Sequence, residues 1–298
     1  MNNFDEERRK FLSLTTVAGL ASVFNINALA SENKHKNKNP GTGIQKWARF
    51  THDKKSEFGL LDGDEIIVYH GDMFGDKVAT GKRVSFSKVQ LEAPCTPTKI
   101  PALWNNFYQR AAYEGNAIPS FPLFFYKPTS AILAHNQRIR QPVNYGGPVA
   151  FEADLGIVIG EKCSNVSVAN IDDYIMGYTC INDVTARTIL RADSSFVQWD
   201  RAKGFDTFCP IGPYIVSGIE PNDLVVRAVL NGAEKQNYPV SDMIFKPRQL
   251  VSLISQDTTL NPGDVIACGT SLGSESMPLN SRIEVSIDGI GSLVNQFG

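Results

Sequence analysis

The 298-residue sequence lacks several features that would each mark a particular class of protein. No CxxC pair occurs among its five cysteines, so a structural zinc site is not expected. Cationic residues are not in excess, since 29 Lys and Arg stand against 31 Asp and Glu, and this argues against nucleic acid as the main partner. With 24 glycines and 16 prolines, the chain is neither collagen-like nor a disordered low-complexity sequence.

The cysteines are scattered along the chain among apolar neighbours. This setting indicates buried free thiols, although a disulfide is the alternative if the protein is exported. The five are Cys95, Cys163, Cys180, Cys209 and Cys268.

The first thirty residues, 1–30, resemble a twin-arginine export signal. Arg8 and Arg9 precede an apolar stretch that ends in the small-residue sequence Ala-Leu-Ala at 28–30, which is typical of a signal cleavage site. The stretch lacks the roughly 18 uninterrupted apolar residues of a membrane span. We therefore predict twin-arginine export to the periplasm, with membrane contact only during export. The alternative is an amphipathic N-terminal helix.

The remainder of the chain divides unequally. Residues 31–43 carry no aliphatic or aromatic side chain and are predicted to be a flexible linker. Short strand-like runs predict a small β-rich module over 44–95, and 96–298 is predicted to be the main domain. Its strand patterns do not alternate as βαβ units, and helices are predicted only over short stretches, chiefly 103–114 and 171–176. The predicted fold class is therefore α+β, mainly β.

Three acidic residues form the sharpest chemical pattern. Glu152 and Asp154 are two residues apart in an otherwise apolar strand-like run, so their side chains point to one face. Two carboxylates there repel each other unless a proton or a cation intervenes, and a divalent ion with oxygen ligands would resolve this. Asp183, which also follows an apolar stretch, would be a third ligand. On spacing alone, a solvated strand edge or a salt bridge to Arg187 is the favoured interpretation.

Nine short segments match a known family in the family's own order. They are FPLFFYKP (121–128), FEADL (151–155), GYT and NDVTAR (177–187), KGFD (203–206), PIGP (210–213), NG (231–232), LNPGDVI (260–266), GT (269–270) and GIGSL (289–293). Over about 101–294 the sequence thereby resembles the fumarylacetoacetate hydrolase family. The resemblance implies a mixed β-roll, usually dimeric. It also implies Mg²⁺ or Mn²⁺, with Ca²⁺ as a further candidate, held by Glu152, Asp154 and Asp183. The second acid is more often Glu in the family, so Asp154 shortens one ligand arm.

The resemblance also implies which residues face the substrate. Lys203 matches a lysine that faces the metal-bound substrate, where a cation would stabilise developing negative charge; the alternative is a surface lysine paired with Asp206. Gly269 and Thr270 match a turn whose N–H and hydroxyl groups could hold a carboxylate, unless it is simply a tight turn. Arg187 either reaches the substrate or pairs with the third acid.

The sequence departs from the family at the group that activates water. Many members carry a His, with a Glu a few residues later, in the segment that corresponds to 103–114. This segment has no His here, although Glu114 remains and Tyr108 or Arg110 stands near the expected position. Of the four histidines, only His135 lies in the matching region, where it is either a substitute base or an ordinary loop residue.

The resulting functional prediction is a metal-dependent enzyme acting on a small-molecule 2-oxo acid, as a homodimer. The first candidate reaction is hydrolysis of a carbon–carbon bond in an acylpyruvate or β-diketo acid, releasing pyruvate. Because the usual base is missing, decarboxylation of oxaloacetate and isomerisation of a 2-hydroxy-dienoate are alternatives that need less water activation. A non-catalytic exported binder of 2-oxo acids is the third possibility.

Overall fold

A computed structural model describes residues 43–298 of the chain. The predicted signal, 1–30, and all but the last residue of the predicted linker, 31–43, lie outside the described residues. Within the described part, no helix is both long enough and apolar enough to cross a membrane.

Strands dominate the described chain. They are β1 (Gln45–His52), β2 (Lys55–Asp62), β3 (Glu65–Gly71), β4 (Lys77–Ser85), β5 (Gln90–Leu91), β6 (Ile100–Trp104), β7 (Leu123–Lys127), β8 (Ile132–Leu133), β9 (Arg138–Ile139), β10 (Val149–Ala150), β11 (Ala153–Ile159), β12 (Ile175–Asn182), β13 (Thr185–Ala186), β14 (Cys209–Ser217), β15 (Val225–Leu230), β16 (Ala233–Pro239), β17 (Val265–Ala267), β18 (Ser281–Ile287) and β19 (Gly291–Phe297). The prediction of a mainly β fold with few helices is confirmed.

Most strands join one twelve-stranded sheet. Its order is β4-β3-β2-β1-β14-β12-β11-β17-β6-β7, with β5 added beside β1 and β8 beside β14. The strands of the predicted N-terminal module, β1–β5, continue into this sheet because β1 pairs antiparallel with β14, where Trp47 lies opposite Ile215. The middle of the sheet consists of β14, β12 and β11, and β11 is buried along its whole length. The centre of this sheet is therefore well placed to hold polar groups away from water.

A five-stranded sheet, in the order β16-β15-β18-β19-β9, packs against the large one. Leu155 and Ile157 of β11 share one buried cluster with Val226 of β15 and Ile283 of β18. A separate two-stranded sheet pairs β10 with β13. In the sequence, β10 comes just before β11 and β13 comes just after β12. All five cysteines are buried and free, as their apolar neighbours predicted.

The α-helices are short. They are α1 (Tyr108–Glu114), α2 (Arg187–Leu190), α3 (Trp199–Lys203) and α4 (Pro247–Asp257), accompanied by 3₁₀ turns at Phe86–Lys88, Thr129–Ala131, Val168–Tyr174, Pro221–Asp223 and Val240–Asp242.

Two predicted helices need correction. The segment 103–114 is helical only from Tyr108, because Leu103 belongs to β6 and Asn105 turns the chain with φ +55° before the helix starts. The segment 171–176 is a 3₁₀ turn that ends at Tyr174, after which the chain enters β12. In both places sheet pairing of the apolar residues prevails over their helix-like spacing.

Candidate active site

The three predicted acids lie in or directly beside two neighbouring strands, since Asp154 is inside β11, Glu152 precedes β11 and Asp183 follows β12. β11 and β12 run antiparallel, with Ala153 opposite Asn182. The pairing extends one residue further, since the Asp183 N–H donates to the Glu152 carbonyl at 2.8 Å. Residues 31 positions apart in the chain therefore become cross-strand neighbours. Asp154 lies two positions after Glu152, and Glu152 is among the charged groups that act on it.

Lys203, the last residue of α3, lies between two of these acids. Its Nζ is 2.7 Å from Glu152 Oε2 and 2.5 Å from Asp183 Oδ2. Since one ammonium contacts both, the two carboxylate oxygens can be no more than about 5.2 Å apart. Among the described residues, Lys203 pairs with Glu152 and Asp183 instead of with Asp206, and Asp183 pairs with lysines instead of with Arg187.

Lys127, at the end of β7, approaches Asp183 from another direction. Its Nζ is 2.7 Å from Asp183 Oδ1 and donates to the Lys203 carbonyl at 2.6 Å. The side chains of Lys127, Asp183 and Lys203 are 0%, 2% and 3% exposed, whereas that of Glu152 is 16% exposed. The cluster is therefore buried, and Glu152 is its most solvent-accessible member.

The charges in the cluster shift one another's protonation. Burial raises the pKa of Asp183, but Lys127 and Lys203 outweigh this and hold that pKa below its usual value. Burial lowers the pKa of Lys203, while Asp183 and Glu152 more than compensate and leave it raised, so this ammonium keeps its charge. Asp154 behaves differently: burial, then repulsion from Asp183 and Glu152, raises its pKa well above the ordinary value.

Asp154 is the acid with the least compensation. Its Oδ2 accepts a hydrogen bond from the Gly269 N–H at 2.8 Å, but its Oδ1 is buried without a hydrogen-bond partner. Gly269 has φ +85°, and a Cβ there would come within 3.0 Å of the Leu103 carbonyl oxygen, so this approach favours glycine. An unpaired buried carboxylate oxygen is costly unless a cation or proton reaches it.

The donor chemistry fits a hard divalent cation. Glu152, Asp154 and Asp183 carry carboxylate oxygens, which are the ligand type that Mg²⁺ and Mn²⁺ prefer. One of these oxygens, Oδ1 of Asp154, has no hydrogen-bond partner among the described residues. Across residues 43–298, however, no three His, Cys, Asp or Glu side chains are arranged so that they could hold an ion as they stand. The Lys203 ammonium lies between two of the predicted ligands, Glu152 and Asp183.

A cleft opens directly onto this cluster. Two adjoining cavities of about 320 Å³ and 370 Å³ share five lining residues, and Glu152 reaches both. The shared residues are Arg110, Glu114, Glu152, Leu190 and Arg191. The first cavity is also lined by Lys203, Thr270 and an apolar wall of Leu103, Trp104, Phe125 and Trp199.

The predicted substrate-contacting residues are placed as follows. Thr270 lines the first cavity, and its Oγ1 accepts a hydrogen bond from Gln236 at 2.8 Å. Arg187 lines the second cavity, where its Nη2 donates to the Ser274 carbonyl at 2.7 Å and to Ser274 Oγ at 2.9 Å. Both residues therefore face the same cleft as Lys203.

The two candidate bases lie in different places. Glu114, at the end of α1, lines both cavities and accepts a hydrogen bond from Arg110 Nε at 2.9 Å. His135 lines neither cavity, and its Nδ1 accepts a hydrogen bond from the backbone N–H of Val294 in β19. The structure thus brings Glu114 to the site but not His135.

Sequence reasoning assigned no role to several polar residues of the site. Lys127 is the clearest case, and its signal is a lone charge at the end of the apolar run Phe124–Tyr126. Gln236 and Tyr238, from β16, hydrogen-bond Thr270 and the Ala153 backbone. These two residues are the buried positions of the otherwise exposed strand β16, but the mostly polar sequence of the strand does not predict which of its residues turn inward.

Family comparisons match almost the whole described chain. The family model described as fumarylacetoacetate (FAA) hydrolase C-terminal matches residues 99–298, and the one described as Rv2993c-like, N-terminal matches residues 45–94.

Individual relatives extend this finding. Protein Rv2993c of Mycobacterium tuberculosis is 41% identical over 225 residues, which cover 74% of this chain and 83% of that protein. Oxaloacetate tautomerase YisK of Bacillus subtilis is 33% identical over 228 residues, 72% of this chain and 75% of that one.

Solved structures give the same fold. The 2-hydroxyhepta-2,4-diene-1,7-dioate isomerase from Mycobacterium marinum superposes with a TM-score of 0.78 at 36% identity, covering 85% of this chain and 98% of that one. Maleylpyruvate hydrolase from Sphingobium sp. SYK-6, solved with manganese(II) and pyruvate, superposes with a TM-score of 0.69 at 26% identity over 85% and 98% of the two chains.

Proposed function

The chain belongs to the fumarylacetoacetate hydrolase family, and from that premise we propose that it is a metal-dependent enzyme that interconverts the keto and enol forms, or the double-bond isomers, of a 2-oxo acid. The observation that carries the proposal is the buried cluster in which Lys203 contacts Glu152 and Asp183 at the floor of a cleft. Such a cluster can stabilise an enolate, and among the described residues, 43–298, no histidine lines either cavity to activate water.

Glu152, Asp154 and Asp183 are the residues that would hold Mg²⁺ or Mn²⁺. The ion, when bound, would act as a Lewis acid that polarises the 2-oxo group. The unpaired Asp154 oxygen supports this assignment, as does the manganese reported with the maleylpyruvate hydrolase neighbour.

Lys203 supplies positive charge to the reacting end of the substrate. Its ammonium contacts Glu152 and Asp183, so we assign it the role of a hydrogen-bond donor and electrostatic stabiliser rather than that of a base. In a buried site, a fixed cation aimed at developing negative charge lowers the barrier more than it would in water.

Glu114 is the residue best placed to accept and return the proton that tautomerisation moves. It is a carboxylate in both cavities, about one third exposed, and it contacts Arg110 and Asn116 without being enclosed. Arg110 cannot take this role, because an arginine guanidinium does not release its proton in proteins.

Carbon–carbon bond hydrolysis is the second candidate. It is favoured by the likeness to maleylpyruvate hydrolase and by the presence of Glu114, which would have to activate water as well. Hydrolysis of an acylpyruvate and decarboxylation of oxaloacetate both release pyruvate, whereas tautomerisation and isomerisation release nothing. A product assay therefore separates the candidates.

The decisive experiment compares products and variants. The protein, loaded with Mn²⁺, is given oxaloacetate, acylpyruvates and a 2-hydroxy-dienoate, while the ultraviolet absorbance of enol or diene and the release of pyruvate are recorded. We expect tautomer or isomer conversion that a chelator abolishes, with Glu152→Gln and Asp183→Asn losing at least about 100-fold and Lys82→Met, on the exposed surface, unchanged. Wild-type turnover in the two site variants would refute the proposal.

Three sequence-based predictions accompany this function as proposals. Residues 1–30 direct twin-arginine export to the periplasm, the boundary between module and main domain lies near residue 95, and the protein is a homodimer. A fusion of residues 1–43 to a reporter, with and without Arg8→Lys and Arg9→Lys, tests the first. Limited proteolysis and sedimentation test the other two.

A further inference from the structure

We propose that the Lys203 ammonium competes with the divalent cation for the same carboxylate oxygens, and that Lys203 turns from Glu152 and Asp183 into the cleft only when the cation is bound. This inference rests on the proposed function, because it takes Glu152 and Asp183 as ligands of that cation. Lys203 thereby reaches the substrate only in the metal-loaded protein.

Lys203 contacts the oxygens that the cation needs. Its Nζ lies 2.7 Å from Glu152 Oε2 and 2.5 Å from Asp183 Oδ2. The other Asp183 oxygen, Oδ1, lies 2.7 Å from the Nζ of Lys127, so both oxygens of this carboxylate already contact an ammonium. Two cations held on one carboxylate oxygen lie close together and repel strongly where burial lowers the dielectric. Lys203 must therefore leave Asp183 Oδ2 before that oxygen can serve as a ligand.

The formal charges of the cluster lead to the same conclusion. Glu152, Asp154 and Asp183 oppose two positive charges, those of Lys127 and Lys203, with three negative ones. A divalent cation added to this set leaves one positive charge in excess. Four of the five side chains are buried, and an uncompensated buried charge is costly. Movement of the Lys203 ammonium toward an anionic substrate relieves that excess.

The fold allows the Lys203 side chain to move while its backbone stays fixed. The Lys203 carbonyl accepts a hydrogen bond from Lys127 Nζ at 2.6 Å, which holds the end of α3. The Lys203 side chain lines the first cavity, of about 320 Å³, so space lies directly beside it. Its Nζ is 5.4 Å from the centre of the Phe125 ring, whose face attracts a cation. That ring is stacked on Trp199, with 4.9 Å between centroids.

Lys127 differs from Lys203 in the one respect that matters for exchange. Its side chain is 0% exposed and lines neither cavity, although it contacts the same Asp183 carboxylate. Lys127 therefore has no path into the cleft and stays the permanent counter-ion of Asp183. The two lysines form a matched pair for experiment, because both are buried on one acid and only Lys203 borders the cavity.

The first test compares the accessibility of these two lysines in the wild-type protein. An amine-reactive acetylating reagent is added briefly in the presence of a chelator or of saturating Mn²⁺, and acetylation at each lysine is measured by peptide mass spectrometry. Lys203 should be protected with the chelator and acetylated several-fold faster with Mn²⁺. Lys127 should stay protected in both conditions, and the exposed Lys82 should react equally in both.

The second test measures Mn²⁺ affinity by electron paramagnetic resonance, which counts the free ion. Lys203→Met and Lys203→Gln remove the competing charge and should bind Mn²⁺ about 10- to 100-fold more tightly than the wild type. Lys82→Met, on the exposed surface, should match the wild type. Both Lys203 variants should also melt at a lower temperature with chelator and gain more than the wild type from Mn²⁺.

Equal acetylation of Lys203 with and without Mn²⁺ overturns the inference. So does an unchanged or weaker Mn²⁺ affinity in the Lys203 variants, because the ammonium would then organise the ligands instead of competing for them. The acetylation test uses the wild-type chain, so it decides the question even where a variant does not fold. Failure of Mn²⁺ to bind the wild type refutes the proposed function instead.

Discussion

Replacing Lys127 by methionine should destabilise the protein strongly, although this residue is not expected to touch the substrate. The ammonium is fully buried, 2.7 Å from Asp183 Oδ1 and 2.6 Å from the Lys203 carbonyl. Methionine fills similar volume but leaves one Asp183 oxygen and the Lys203 carbonyl without this partner. Removing one member of a buried ion pair costs about 3–5 kcal/mol, because the other charge stays buried and uncompensated.

The assay is urea unfolding of the metal-free protein, followed by tryptophan fluorescence, with thermal melting in parallel. For a domain of this size the loss corresponds to a decrease in melting temperature of about 6–20 °C. The double variant Lys127→Met/Asp183→Asn should lose about 1–3 kcal/mol less than the sum of the single losses, since it leaves no unmatched charge at this contact.

Lys82→Met is the matched control, because its lysine forms an exposed ion pair with Glu57 and should cost no more than about 1 kcal/mol. If Lys127→Met proved as mild as Lys82→Met, or if the losses at Lys127 and Asp183 were simply additive, the buried pair would not contribute as described.

Further predictions concern stability, the unused histidine and the metal. Burial alone would raise the pKa of Asp264, but hydrogen bonds from Asn261, Lys99 and Thr98 outweigh burial and lower that pKa. The ionised Asp264 carboxylate therefore stabilises the protein above about pH 4, and this stabilisation is lost as the pH falls through the lowered pKa. Asp264→Asn should weaken that acid-side decline in urea unfolding at a series of pH values. His135→Ala should leave turnover within about twofold, since this side chain lines neither cavity, and a large loss would contradict that placement. Mn²⁺ should raise the melting temperature saturably, an effect that Asp154→Asn should weaken and that is checked by calorimetry.

The acidic residues of the candidate site could largely be identified from the sequence. Strand periodicity alone predicts that Glu152 and Asp154 share a face. In the structure Asp154 lies inside β11, whereas Glu152 immediately precedes that strand. Strand periodicity alone cannot predict that Asp183 lies beside Glu152, because that position depends on the register of β11 against β12. Its place after an apolar stretch made Asp183 a candidate and the resemblance to a family supported it, but the register itself is set by long-range packing and turn geometry rather than by local pattern.

The basic part of the site was harder to predict. Lys127 lies at the end of the apolar strand β7, and nothing local says that its ammonium turns inward to meet an acid 56 positions later. His135 stood out only because histidine is rare and chemically versatile, whereas its hydrogen bond to Val294 places it at β19. Residue type indicates what a side chain can do, but the strand order decides which side chains meet.

The balance between the candidate reactions follows from what each demands of the cleft. Enolate formation needs one group to take up a proton and a fixed positive charge near the oxygen, roles that Glu114 and Lys203 are placed to fill. Hydrolysis needs in addition a water held and deprotonated against the substrate. Among residues 43–298, Glu114 is the carboxylate lining both cavities that is not assigned to the metal, so it would have to perform that task as well. Arg110 beside it stays protonated and favours an anion. The residues of the cleft therefore meet the demands of proton transfer on a 2-oxo acid more fully than those of water attack on a carbonyl, in line with the proposed function.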